Sequence, residues 1–288
     1  MDTKFPGLLN SEHELHPILI PLAGTPVLEY TLEFLERGGV EDIILVTSTL
    51  PHLLRTYLES SRWGERDYPV RVRVVSMAIL RSEGDALREI DRQGLVKSDF
   101  VLIRGGVLTN LHLPFMVEEH RRIQALDKHK LLMTMVNSQV NTNNAFGSQR
   151  FAPRSHIAEN RNLSDVPHVL NEHDNATETT TYAFQQCLLL EHLEVHPDRK
   201  KFVHLSKEIT SNHKDVIFRN DLSDCCIDIC TPEVPALFTE NFDYEDLRKD
   251  LVNGVLTSDI LSKTIYCYIV KEGYCARITN YDNYWTAR

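Results

Sequence analysis

The 288-residue sequence lacks several features that define common classes of protein. Its six cysteines form no C-x-x-C pair, so their spacing does not suit a zinc site, and we interpret them as reduced thiols of a cytosolic protein. No apolar run is long enough to span a bilayer, and the N-terminus has no hydrophobic signal core. The sequence therefore predicts no metal site, no membrane partner and a cytoplasmic location.

An excess of basic residues is also missing. The chain has 31 lysines and arginines against 41 acidic residues, for a net charge of -10. This balance argues against a surface built to coat nucleic acid, so we expect no direct nucleic-acid partner. At this length the chain can bury a large core, in one large α/β domain or in two smaller ones.

The apolar pattern is that of an α/β protein. Continuous apolar runs, typical of strands buried on both faces, occur at 43–47, 100–103 and 131–136. Helices are predicted between them, and one begins at the capping-box sequence Ser82-Glu83-Gly84-Asp85. We predict that these three runs lie in one central sheet together with a strand at 224–230.

Composition changes after these strands. From 137 to 181 the chain is rich in Asn, Ser, Thr, His and Glu and has no strong periodicity. We predict that 137–181 is a poorly patterned insertion or arm within a single domain that covers 1–288.

The clearest pattern lies between 221 and 256. Alternation predicts a strand with Cys226, Asp228 and Cys230 on one side, and Thr231-Pro232-Glu233 then begins a helix. A second helix carries Leu247, Leu251 and Val255 on one face. The connector between the two helices is the sequence Asn241, Phe242, Asp243 and Tyr244. From the residues alone, two interpretations stay open: a structural connector whose aromatic rings fill the core, or a functional site.

Three segments of the chain resemble one known family. They are PLAGTP with the following LEYTLEFL, SEGDALR with the later SDFVLIRGGVLTNL, and RNDLSDCCIDICTPEVPALFTENFDY. They are similar to the nucleotidyltransferase-like domain of the epsilon subunit of the guanine-nucleotide exchange factor for translation initiation factor 2. The resemblance covers 17–136 and 216–285 and is poor over 137–215.

The resemblance implies a fold. It predicts a three-layer α/β domain with a mostly parallel mixed sheet flanked by helices, as in sugar-nucleotide pyrophosphorylases. In those enzymes a glycine-rich loop holds the triphosphate and an Asp after a central strand holds Mg²⁺. Here the segment before Pro21 has no glycine run, and Gly106 stands at the Asp position. The resemblance thus predicts a vestigial nucleotide pocket with no catalytic residue, metal or cofactor; its members are Gly24, Gly84, Asp85 and Gly106.

The resemblance also implies partners. In that family the exchange chemistry resides in a C-terminal helical-repeat domain, preceded by a β-helix, and we expect neither within this chain. The Asn-Phe-Asp-Tyr motif is expected to contact initiation factor 2, and the domain to assemble with the sister gamma subunit and the other subunits. An active sugar-nucleotide pyrophosphorylase is the main alternative, which the missing loop and Asp disfavour. The gamma subunit is another, which the motif disfavours.

Overall fold

A computed structural model describes residues 15–127, 130–139, 154–160, 168–172, 180–195, 211, 216–258 and 260–287. Its strands are β1 Pro21–Leu22, β2 Thr25–Pro26, β3 Asp42–Thr47, β4 Arg71–Ser76, β5 Phe100–Ile103, β6 Val107–Thr109, β7 Leu131–Gln139, β8 Arg154–Asn160, β9 His168–Glu172, β10 Thr180–Val195, β11 Val216–Cys230, β12 Thr264–Val270 and β13 Cys275–Arg277. Its α-helices are α1 Val27–Arg37, α2 Pro51–Glu59, α3 Glu83–Arg92, α4 Leu113–Leu126, α5 Glu233–Glu240, α6 Asn253–Thr257 and α7 Tyr281–Ala287. Short 3₁₀ helices lie at Pro17–Leu19 and Arg62–Gly64, and a π-helix at Leu247–Val252.

The largest sheet is mixed. Its strand order is β12-β7-β11-β8-β10-β9, β5 also pairs with β11, and β10 pairs again with β12. The predicted α/β class with a mixed sheet flanked by helices is confirmed. The expectation of a mostly parallel sheet is wrong for the described pairings, since only β7–β12 and β3–β4 are parallel. The antiparallel pairs come mainly from the long strands β10 and β11, which each pair with several neighbours.

Strand β3 pairs with β4 in a two-stranded sheet. Among the described strands it pairs with β4 alone, so the prediction that 43–47 shares one hydrogen-bonded sheet with β5, β7 and β11 is wrong. Ile43 is buried, whereas Ile44 and Val46 are half-buried. An apolar run indicates that a strand is buried, but it does not indicate which strand pairs with it. For this reason the sequence assigned β3 to the wrong sheet.

Two large apolar clusters nevertheless cover both faces of β3 and β5. Leu45 packs against the cluster that also receives Val101, and Val46 packs against the cluster that also receives Leu102. The first cluster is built around α1, α2 and the start of α4, and the second around α3, α5 and the π-helix. Helices on both faces of the strands are the layering expected for an α/β domain.

The segment predicted as a poorly patterned arm contains strands. Its described parts include β8, which pairs with β10 and β11, and β9, which pairs with β10. These strands pair with segments distant in sequence, and no local periodicity of the sequence predicts such pairing. The sequence also predicts a short strand at 202–205, which lies outside the described residues.

Candidate functional site

The Asn-Phe-Asp-Tyr sequence forms a surface loop after α5. Phe242 has 81% of its surface exposed and Asp243 is exposed, while Tyr244 is half-buried. The Tyr244 ring packs edge-on against the buried ring of Phe238 with centroids 6.1 Å apart, and its hydroxyl fills the space above Gly254. One aromatic residue therefore anchors the loop and the other faces solvent, so the loop is not a plug that buries both rings.

Asn241 begins the loop by ending the helix before it. Its side-chain Nδ2 donates to the carbonyl of Leu237 at 2.9 Å, and its backbone N–H donates to the same oxygen at 3.0 Å. The N–H of Tyr244 then donates to the carbonyl of Asn241 at 3.2 Å, which closes a turn. Asn241 thus has a structural role of its own, because it satisfies a carbonyl at the helix end.

Arg88, on α3, holds this loop through its backbone. Its Nε donates to the carbonyl of Phe238 at 2.9 Å, and its Nη2 donates to the carbonyls of Phe242 at 2.9 Å and Tyr244 at 2.6 Å. Its Nη1 pairs with Asp85 at 3.2 Å. A planar guanidinium can serve several acceptors at fixed angles, which makes arginine suited to this position.

The start of α3 lies against the same loop. Ser82 caps this helix, as predicted, by accepting a hydrogen bond from the N–H of Asp85 at 3.1 Å. The N–H of Gly84 donates to the carbonyl of Glu245 at 2.9 Å, and a Cβ at Gly84 would collide with the carbonyl of Tyr244. One member of the predicted nucleotide pocket, Gly84, therefore contacts the predicted partner-binding motif, and another, Asp85, pairs with the arginine that holds it.

The other two members of that pocket lie in turns with different neighbours. Gly24, with φ of +88°, follows Ala23 in the turn that joins β1 to β2, and a Cβ there would meet nothing within 4 Å. Gly106, with φ of +85°, lies between β5 and β6, and its carbonyl accepts from the N–H of Ile278 at 2.8 Å. A Cβ at Gly106 would lie 2.5 Å from the carbonyl oxygen of Ile278, so the backbone itself crowds the position where the resemblance expects an Asp.

A buried group of charges lies beneath the loop, and the sequence did not reveal it. Arg248 is fully buried in the π-helix. Its Nε and Nη2 donate to the two carboxylate oxygens of Asp224 at 2.8 and 3.0 Å, and Nη2 donates to Asp228 at 2.7 Å. Arg104 lies 3.8 Å from Asp224 and 2.7 Å from Glu83, which in turn accepts from the N–H of Leu247 at 3.2 Å. The charges thus join β11, β5 and α3 to the segment that follows the loop.

The two aspartates of this group differ in their affinity for protons. Burial would raise the pKa of Asp224, but the charge and hydrogen bonds of Arg248 hold it well below its usual value. At Asp228 burial is the larger effect and raises the pKa to about 6, with a contribution from the negative charge of Asp224. One arginine shared between two buried carboxylates neutralises the first more completely than the second. Burial, aided by the charge of Arg248, lowers the pKa of the nearby His192 to about 4.

A break in β11 brings these aspartates to Arg248. The pairing of β11 with β7 shifts register between Asp224 and Asp228, and Cys226 takes a left-handed conformation with φ of 57°. The N–H of Cys226 donates to Asp224 at 2.8 Å. Cys225, Cys226 and Ile227 all belong to one apolar cluster. The predicted regular alternation is therefore wrong at the bulge, because β11 has two more residues than β7 between the pairs Asp224–Asn137 and Asp228–Met135.

An open groove of about 450 Å³ lies beside the loop. Its lining includes Met77, Ile79, Arg81, Arg92, Phe242 and Glu245. Ile79 is 61% exposed, so two large apolar side chains, Ile79 and Phe242, face solvent in this groove.

Within the described residues, no group of three or more His, Cys, Asp or Glu side chains could hold a metal ion. No helix in that part of the chain is long and apolar enough to cross a membrane.

Curated relatives match nearly the whole chain. The translation initiation factor eIF2B subunit epsilon of Schizosaccharomyces pombe is 40% identical over 92% of the chain, and that of Dictyostelium discoideum is 33% identical over 92%. The chain spans about a third of the length of these relatives, 35% and 34% respectively. No family model matches the sequence.

Two solved structures show that the fold of this chain is shared with other proteins. The apo form of a UDP-glucose pyrophosphorylase superimposes with a TM-score of 0.59 at 12% identity, covering 94% of this chain and 88% of that one. HddC from Yersinia pseudotuberculosis complexed with GMP-PN gives a TM-score of 0.54 at 13% identity, covering 96% and 89%. At such low identity these likenesses support the fold alone.

Proposed function

The chain is homologous over 92% of its length to the epsilon subunit of translation initiation factor eIF2B, and we propose that it forms a non-catalytic platform domain of such a subunit. In this role the Asn-Phe-Asp-Tyr loop contacts translation initiation factor 2. The domain assembles with a gamma subunit and further subunits, and guanine-nucleotide exchange belongs to the full-length complex.

The exposure of Phe242 is the observation that carries this proposal. Its ring is 81% exposed, although the backbone of the same loop is held by hydrogen bonds from α3. Large aromatic residues on a rigid support are typical anchors of protein–protein interfaces, and a few such residues supply most of the binding energy. Asp243 and Glu245 are exposed beside it, so the partner surface should combine an apolar pocket with basic groups.

The test is the affinity of the chain for purified initiation factor 2. We expect Phe242→Ala to weaken binding roughly 30-fold, as the loss of an interface anchor does. Its melting temperature should stay nearly unchanged, because truncating an exposed side chain usually changes stability by no more than about 0.5 kcal/mol. Phe218→Ala is the matched control, since Phe218 is also exposed, at 51%, but lies on β11. Equal effects of both substitutions, or none from Phe242→Ala, would contradict the proposed contact.

Nucleotidyl transfer is the competing function and is tested separately. We expect no pyrophosphate release with Mg²⁺, nucleoside triphosphates and sugar phosphates, because Gly106 offers no metal ligand and its surroundings are filled by the backbone of Ile278. Gly106→Asp should not introduce activity, since the phosphate-binding loop would still be missing. Turnover above background in the unmodified chain would establish the alternative function.

A further inference from the structure

We propose that Arg88 is a positioning residue for partner binding: its guanidinium fixes the loop backbone so that Phe242 stays exposed. This inference rests on the proposed contact between the loop and initiation factor 2. It extends the site from the four residues of the motif to an arginine on α3, more than one hundred and fifty positions earlier in the chain.

The contacts of Arg88 follow the path of the loop. The carbonyl of Phe238 belongs to the last turns of α5, that of Phe242 to the loop itself and that of Tyr244 to its end. Asp85 pairs with the remaining nitrogen, Nη1, and so orients the guanidinium. The side chain of Arg88 is 19% exposed. Hydrogen bonds from a charged donor are stronger than neutral ones, and partial burial protects them from competition by water.

The other loop anchors leave the centre of the loop unsupported. Asn241 ties the beginning of the loop to Leu237, and the Tyr244 ring and the Gly84 N–H hold its end. Within the described residues, the hydrogen bond that holds Phe242 comes from Arg88. Without it the Phe242 ring could turn further into the groove that it already lines and cover Ile79, whose side chain lines the same groove.

Such a turn would reduce affinity without removing any contact residue. The apparent affinity of a site is lowered by the fraction of molecules in the competent conformation, and a pre-organised loop avoids that loss. We therefore expect Arg88→Ala to weaken binding to purified initiation factor 2 by on the order of tenfold, a loss typical of one strong charged hydrogen bond. Arg92→Ala is the control, because Arg92 lies one turn further along α3 and its exposed side chain pairs with Glu89 instead.

Two readouts separate positioning from a general structural role. In the Phe242→Ala background, Arg88→Ala should have almost no further effect on affinity, because Arg88 acts through that ring. Amide hydrogen exchange should accelerate at Asp243 and Tyr244 in Arg88→Ala while β7 and β12 keep their protection. Equal weakening in both backgrounds, loss of protection throughout the chain, or unchanged affinity in Arg88→Ala would each overturn the inference. If Phe242→Ala itself leaves affinity unchanged, the proposed function fails, and the inference fails with it.

Discussion

Arg248 offers the sharpest test of what stabilises this region. Its side chain is fully buried and donates to two buried carboxylates, Asp224 and Asp228. Arg248→Met keeps most of the volume of the side chain but removes the positive charge and three hydrogen bonds. It thus leaves two carboxylates inside the protein, with Arg104 3.8 Å from Asp224.

The expected loss is large compared with the stability of a domain. Removing one partner of a buried ion pair typically costs about 3–5 kcal/mol, mostly because the other charge remains buried without compensation. Domains are typically stable by about 5–15 kcal/mol, so this single change should consume a large fraction of the stability. The exposed pair Arg71–Asp42 is the control, and Arg71→Met should change stability by no more than about 1 kcal/mol.

The assay is urea unfolding of the 288-residue chain at several pH values. In the Arg248→Met variant burial raises the pKa of both carboxyls above that of the unfolded chain, so the folded form takes up protons first. Protonation then stabilises the folded state as pH falls, and the difference from the unmodified chain should shrink in the same direction. Adding Asp224→Asn and Asp228→Asn should recover much of the lost stability. A loss below about 1 kcal/mol, or a difference independent of pH, would refute the reasoning.

Two further predictions concern the loop support and acid stability. Gly84→Ala should cost about 1–3 kcal/mol and weaken partner binding, because its Cβ would collide with the carbonyl of Tyr244; Gly105→Ala, whose Cβ would make an ordinary 3.6 Å contact, should do neither, and equal melting temperatures would contradict this. Burial lowers the pKa to about 4 in three histidines: His16, His120 and His192. The unfolded chain binds protons at these side chains from about pH 6.5 downward, so each should remove about 1–2 kcal/mol of stability by pH 5. Asp228, whose pKa is raised to about 6, opposes this loss, and a melting temperature that rises from pH 7 to 5 would contradict the prediction.

Elements with strong local signals could be predicted from the sequence. The capping box placed the start of α3, and the apolar run at 100–103 placed β5 at its observed bounds. The face formed by Leu247, Leu251 and Val255 is buried as predicted, although two of these three residues lie in a π-helix. Local patterns report what each segment buries, and this information was sufficient for the class of fold and for the location of the loop.

Pairing between distant strands could not be predicted in the same way. Among the described strands β3 pairs with β4 alone, whereas β8 and β9 join the largest sheet, and both results depend on contacts between segments far apart in sequence. The relation between Gly84 and Tyr244 is of the same kind, since a close approach of two backbones leaves no periodic trace. The sequence therefore assigned Gly84 and Tyr244 to two separate sites, although they are in contact.

The buried charges of Arg248, Asp224 and Asp228 could not be predicted from the sequence. In the period of a regular strand Asp224 and Asp228 would lie on one face, and a lone arginine in a helical pattern is usually solvated. Both aspartates reach Arg248 because of the bulge at Cys226. There the backbone is left-handed, and the N–H of Cys226 donates to Asp224. This bulge adds two residues to β11 without any required residue type, so the alternation on either side of it looks intact. Glu83, at the start of α3, links Arg104 to the N–H of Leu247. These contacts join the buried charges at the bulge to the backbone that follows the exposed loop, and so help to fix the position of the loop.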